Sequence, residues 1–339
     1  MALVAELSAP PRFADTARAL KDHQADELEA VNQVILEHMS SRVELIPQVA
    51  AHLIGAGGKR LRPLLTLASA ALCEARGERP RTLAAAVELI HAATLLHDDV
   101  VDDSNLRRGF KTANVVFGNK ESVLVGDFLF ARAFELMVKT ESLRVLDILS
   151  RASCTISEGE VLQLETQANV RTQKETYIKV VSAKTAALFS AATQAGAVVA
   201  NASPDVENAF YTYGLNFGIA YQLVDDALDY DSDAEAMGKS AGDDFREGKM
   251  TLPVILALEA ARTPEERAFW HRTVGGMQQG PEDFVEAKRL MERDSLIDRA
   301  LTEAQSYAEK AAEALTVLPA SSLRTLLQEL ALGSVIRQY

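Results

Sequence analysis

Apolar residues return at intervals of three and four along most of this chain. Leu28, Val31, Ile35 and Met39 form one such stripe, and Leu143, Leu146 and Leu149 another. That is the spacing of an α-helix with one face in a core. The pattern holds from Ala14 onward, and no sustained alternating run leads into an Asn-Gly or Asp-Gly turn, the mark of a hairpin. Punctuation separates the helices at Gly55-Ala56-Gly57-Gly58, Gly77 to Pro80, Gly109, Gly118, Ser203-Pro204 and Gly238 to Gly248. Pro80 and Pro204 suit the first turns of helices. Between Pro80 and Asp103 no breaker occurs, which predicts one helix of about 35 Å. Thr185 to Pro204 carries no charge and is about long enough to span a bilayer. Its Thr185, Ser190, Thr193, Gln194 and Gly196, and its many alanines, predict instead a helix buried on all sides of a helical protein. Residues 1–13, with Pro10-Pro11, read as a loose tail, and 14–339 as one all-α domain.

Composition narrows the classes. The chain has 339 residues, 48% of them hydrophobic, enough to bury a substantial core. Its 35 Lys+Arg against 48 Asp+Glu leave a net charge of -13, which argues against nucleic acid as a main partner. Cys73 and Cys154 offer neither a disulfide framework nor metal-ligand spacing, and their apolar surroundings read as those of buried thiols. Met1 to Pro11 lacks the basic start and apolar run of a signal peptide. A cytoplasmic protein without a transmembrane segment is expected, with docking on a membrane left open.

Two acidic clusters carry the strongest chemical signal. His97-Asp98-Asp99-Val100-Val101-Asp102-Asp103 and Val224-Asp225-Asp226-Ala227-Leu228-Asp229-Tyr230 both take the form Asp-Asp-x-x-Asp at the end of an apolar helix. Helical geometry puts Asp98 and Asp102, and likewise Asp225 and Asp229, one turn apart on the same face. Like charges so placed repel unless a cation sits among them. An all-oxygen donor set favours a hard cation, and Mg²⁺ takes one or two carboxylates together with waters and substrate phosphates. Basic residues stand close by: Lys59, Arg60 and Arg62 after a glycine turn, Arg107-Arg108 after the first cluster, Lys184 with Thr185, and Lys239 and Lys249 around the glycine-rich stretch. Cations beside acid clusters in a net-acidic chain point to a phosphate-bearing anion held through metals, and a diphosphate fits.

In these elements, with Gly57 to Pro63, Gly118-Asn119, Gly126-Asp127 and Tyr221-Gln222, the chain resembles the trans-polyprenyl diphosphate synthases of the long-chain type that makes quinone side chains. The resemblance covers nearly everything past the N-terminal tail. It implies a single-domain helical bundle of the isoprenoid-synthase type around a central cavity, and a homodimer. It implies that Asp98, Asp99 and Asp102 face Asp225, Asp226 and Asp229 across that cavity and hold Mg²⁺ on an allylic diphosphate. Arg107, Lys184, Thr185, Gln222 and Lys239 would stabilise the departing diphosphate, and Lys59, Arg62, His91 and Arg108 would bind isopentenyl diphosphate.

His91 lies seven residues before Asp98, two turns away on nearly the same face. Thr94 sits one turn below Asp98, with Ala93 beside it and Ile90 about two turns below. Short-chain relatives block the hydrocarbon tunnel with aromatics at the first two of these places. Small Ala93 and Thr94 therefore predict a long product, about C40–C50. A short-chain synthase and a non-catalytic subunit of a heteromeric synthase are the alternatives, the second opposed by the presence of all six aspartates. Phe110, Phe128, Phe130 and Phe134 are expected in the core, and Glu158, Gly159, Glu160 and Gln163 resemble a segment of that family but read equally as a helix surface. Asp243 and Asp244 read either as holders of metal-bound water or as solvated loop acids, and Lys249 as orienting the loop.

Overall fold

The computed structural model describes residues 12–55, 57–230 and 242–336. In chain order the helices are α1 (Phe13–His23), α2 (Ala25–Met39), α3 (Leu45–Gly55), α4 (Leu61–Leu72), α5 (Glu78–Val101), α6 (Ala113–Phe117), α7 (Asn119–Lys139) and α8 (Leu143–Thr166). Next come α9 (Lys174–Val181), α10 (Ala187–Val199), α11 (Pro204–Leu228), α12 (Asp243–Arg246) and α13 (Leu252–Ala260). The chain ends with α14 (Pro264–Trp270), α15 (Asp283–Arg293), α16 (Leu296–Ala314) and α17 (Ser322–Gly333). The protein is all-α, as its periodicity predicts. Among the described residues no helix is long and apolar enough to cross a membrane.

Two compact units divide the chain. One comprises Lys21–Ser157 and Ala187–Gly214, the other Glu158–Ala186 with the flanking N- and C-terminal parts. The first is built around α5, which packs on α2, α4, α7 and α10. Gly77, with φ of 94°, turns the chain into this helix. Leu83 to Leu96 is almost wholly buried, leaving only His91, Thr94 and Leu95 half-buried on a strip that continues to Asp98. The uncharged α10 is buried at every position but Gln194. In the second unit, Tyr177, Leu223, Val224, Phe245, Trp270 and Ala300 belong to one apolar core.

Several expectations need correction. The described part of the expected tail includes Phe13, which is buried and opens α1. A small hairpin exists: β1 (Leu106–Arg107) pairs antiparallel with β2 (Phe110–Lys111). Its turn is Arg108-Gly109, both at positive φ (54° and 80°), the handedness that a two-residue hairpin loop requires. With only two residues per strand there was no alternating run to see. Leu143 is 84% exposed, because the core stripe of α8 starts at Val145 and continues through Ile148, Leu149 and Ala152. Cys73 is half-buried and Cys154 exposed; burial pushes the Cys73 thiol up to about 11. Phe110 and Phe134 are exposed, and Phe128 and Phe130 half-buried. On α7 the inward stripe is Val125, Leu129, Ala133 and Leu136, and Phe128, Phe130 and Phe134 fall off it, while Phe110 lies on β2.

Gly196 lets α10 approach α4. A Cβ there would lie 2.6 Å from the Thr66 carbonyl oxygen and 2.9 Å from Ser69 Cβ. In an open helix Gly→Ala stabilises by about 1 kcal/mol. Here Gly196→Ala is expected to destabilise the protein by about 1–3 kcal/mol through overpacking, read as a lowered midpoint of thermal or urea unfolding.

Candidate active site

In the first unit, the glycine turn and the hairpin bring basic side chains to α5. Gly57 has φ of 78° and Arg60 sits at φ 52° just before α4. The Arg60 guanidinium pairs with Glu88, a buried residue of α5. Arg62, in the first turn of α4, places Nη1 3.1 Å from His91 Nε2 and its guanidinium 4.2 Å from the Phe189 ring centroid. Arg108 crosses Gly58 so closely that a Cβ there would be 3.1 Å from its Nη1. Burial, then the charges of Arg62, Arg107, Arg108 and Arg60, hold His91 well below the usual imidazole range. The ring is therefore neutral, and with Arg62 as donor its Nε2 is the acceptor and Nδ1 carries the proton. Guanidiniums around a neutral imidazole form a surface for phosphate oxygens. Lys59 is exposed beside them.

The first aspartate cluster divides its labour. Helix α5 stops at Val101, and Asp102 caps it with its N–H bonded to the Asp98 carbonyl at 2.8 Å. Asp98 and Asp102 are half-buried. Asp99 is 1% exposed and accepts from Arg107, at 2.7 Å from Nη2 and 3.0 Å from Nε. It does not stand with its neighbours as three equivalent ligands. Its carboxylate fixes Arg107, the hairpin residue expected to act on the diphosphate directly. His97 is a local packing residue: its Nε2 lies 3.1 Å from the Val123 carbonyl, and its ring leaves no room for a Cβ at Gly126.

In the second unit, α11 ends at Leu228 and Asp229 follows, its N–H 3.2 Å from the Asp225 carbonyl. Asp226 is buried; it accepts from Tyr177 Oη at 2.6 Å and from Gln222 Nε2 at 2.7 Å. Thr185 Oγ1 donates to Gln222 Oε1 at 2.8 Å. Between α9 and α10 the chain makes one wide π-helical turn, Ser182–Ala186, which carries Lys184 and Thr185. Lys184 Nζ donates to Glu160 at 2.7 Å. A cavity of about 120 Å³ is lined by Gln163, Tyr177, Lys184, Thr185, Gln222, Asp226, Asp244 and Lys249, among others.

Carboxylates crowd this cavity. Burial, then the Asp244 charge, pushes Asp226 up to about 8 and Asp229 up to about 7. Asp244 donates its backbone N–H to Asp229 Oδ2 at 3.0 Å, and Lys249 stands 3.6 Å from its carboxylate. Asp243 is exposed and paired with Arg246, and its backbone N–H and its charge also reach Asp229. Among the described residues, no group of three or more His, Cys, Asp or Glu side chains is so placed as to hold a metal ion by itself. The all-oxygen donors Asp98, Asp102, Asp225 and Asp229 fit Mg²⁺, which needs few carboxylates when phosphates complete its shell.

Of the other expected residues, Thr94 shares the half-buried strip of α5 with His91, whereas Ile90 and Ala93 are completely buried. Lys239 lies outside the described residues. Sequence reasoning missed Tyr177 and Glu88. Glu88 had a signal, a lone acid in the apolar run Leu83 to Leu96. Tyr177 had none.

Comparison with known proteins gives the chain a family. The polyprenyl synthetase family model matches residues 43–291. The octaprenyl diphosphate synthase of Haemophilus influenzae is 42% identical over 313 residues, covering 92% of this chain and 94% of that protein. A polyprenyl synthase from Caulobacter crescentus CB15, solved with calcium and isoprenyl diphosphate, is 50% identical with a TM-score of 0.92, covering 95% of this chain and 98% of that one. A decaprenyl diphosphate synthase from Rhodobacter capsulatus is 48% identical with a TM-score of 0.91, covering 94% and 98%. Matched in family model, in sequence over nine-tenths of its length and in fold, this chain belongs to the polyprenyl synthetase family.

Proposed function

We propose that the protein is a long-chain trans-prenyltransferase that condenses an allylic diphosphate, such as farnesyl diphosphate, with successive isopentenyl diphosphates. Its product is a polyprenyl diphosphate of about C40–C50, of use as a quinone side chain. The observation that carries this reading is the pairing of two Asp-Asp-x-x-Asp clusters with a separate arginine cluster around His91. Relatives named for eight- and ten-unit products support the length.

In each cycle the allylic carbon–oxygen bond breaks and diphosphate leaves. The isopentenyl double bond forms the new carbon–carbon bond, and loss of a proton restores an allylic diphosphate. Lys184, Thr185 and Gln222, with Lys239, meet the charge growing on the leaving diphosphate, and fixed cations aimed at such charge lower the barrier. Arg107, held by Asp99, adds to them. Lys59, Arg62, His91 and Arg108 hold isopentenyl diphosphate, with neutral His91 oriented by Arg62. Asp98, Asp102, Asp225 and Asp229 would hold Mg²⁺, with Asp99 and Asp226, the middle carboxylates of the same motifs, behind them. When bound, Mg²⁺ neutralises the diphosphate and improves it as a leaving group.

The proposed assembly is a homodimer. Helices α6 and α7 expose Val115, Val116, Val123, Leu124, Phe134 and Val138, and Leu124 is 67% exposed. An apolar face of this kind in one unit suits a second copy of the chain. The charged substrates are water-soluble and the product is not, which suits a cytoplasmic enzyme working beside a membrane.

Purified protein given Mg²⁺, farnesyl diphosphate and labelled isopentenyl diphosphate is expected to yield a ladder ending at about eight to ten isoprene units, sized by mass, and EDTA is expected to abolish it. A stop at three or four units would leave a short-chain synthase; no turnover would favour a missing partner subunit. Thr94→Phe places a ring on the half-buried strip below Asp98 and is expected to shorten the product; unchanged length would sink this account of the tunnel. Leu124→Glu is expected to shift the mass in light scattering from dimer toward monomer.

A further inference from the structure

Between Glu158 and Gln163, helix α8 meets the turn that carries Lys184. At Gly159 the backbones of α8 and the π-helical turn touch: a Cβ would lie 2.8 Å from both the Lys184 nitrogen and Ala183 Cβ. One residue on, the Glu160 carboxylate accepts from Lys184 Nζ at 2.7 Å. Side-chain exposures of 21% for Lys184 and 23% for Glu160 leave the pair partly covered by its surroundings. Lys184 lines the cavity, whereas Glu160 is not among the lining residues and meets the ammonium from beside it.

We propose that Glu160 is a positioning residue for Lys184, holding its ammonium at the cavity wall for the allylic diphosphate, with Gly159 setting the approach of the turn. The proposal rests on the reading of Lys184 as a diphosphate-binding cation. A lysine ammonium is a point charge on a flexible stem, and ordering that stem costs rotamer entropy. The ion pair meets this cost before substrate arrives. A π turn holds one more residue than an α turn and is frequent at functional sites. Here it lets consecutive side chains be tied in two directions, Lys184 to Glu160 and Thr185 through Gln222 to Asp226. Between cycles, Glu160 gives Lys184 a partner once diphosphate has gone.

The test compares full-length Glu160→Ala and Glu160→Gln with wild type. Steady-state kinetics are run with each substrate varied in turn, together with calorimetric titration of magnesium diphosphate. Glu160→Ala is expected to lower kcat about tenfold and to raise the KM for allylic diphosphate several-fold, with the isopentenyl KM within about twofold. It is expected to weaken magnesium diphosphate binding and to leave the melting temperature unchanged. Glu160→Gln, whose amide oxygen still accepts from Lys184, is expected to recover most of the loss. Equal changes in both KM values with a lowered melting temperature, or no change in kinetics and titration, would overturn the proposal. A wild type that binds magnesium diphosphate without condensing the substrates would overturn the reaction instead, and the titration alone would then decide the role of Glu160.

Discussion

Carboxylates held close together with little water are the constraint on which the site depends. At the second cluster Asp226, Asp229 and Asp244 crowd so closely that burial and mutual repulsion raise the first two toward neutrality. Folding tolerates this only because each carboxylate has something to accept from: Tyr177 and Gln222 for Asp226, the Asp244 amide for Asp229, Lys249 for Asp244. A site so loaded gains from a cation that enters with an anion, which is what a metal-bound diphosphate supplies. The negative charge of the chain and its reserve of arginine and lysine at these places belong to one design.

The two clusters solve the same problem in the same way, each within its own unit. In both, the helix ends before the third aspartate, whose N–H still bonds one turn back to the first. In both, the middle aspartate turns inward. Asp99 is taken by Arg107, and Asp226 by Tyr177 and Gln222. Identical motif letters therefore conceal two kinds of carboxylate, an outer pair that stays half-exposed and a middle one that is buried and bonded to its surroundings. A positive-φ hairpin turn at Arg108-Gly109 and a left-handed Arg60 show the same economy among the cations. Backbone conformations unfavourable for arginine occur where guanidiniums must be aimed.

The sequence by itself determined the helical class, the place and length of α5, the buried α10 and the two carboxylate clusters with their neighbouring cations. Those depend on local periodicity and spacing, which a helix converts directly into faces. Tertiary structure alone decided which face of α7 is covered, and so left the phenylalanines outside. It alone decided that Asp99 belongs to Arg107, that Glu88 anchors Arg60, and that Glu160 belongs to Lys184. In each case the partners lie apart in sequence, 24 residues for Glu160 and Lys184 and 28 for Arg60 and Glu88. Periodicity says that a side chain points inward. Only the packing of other helices says what it meets there.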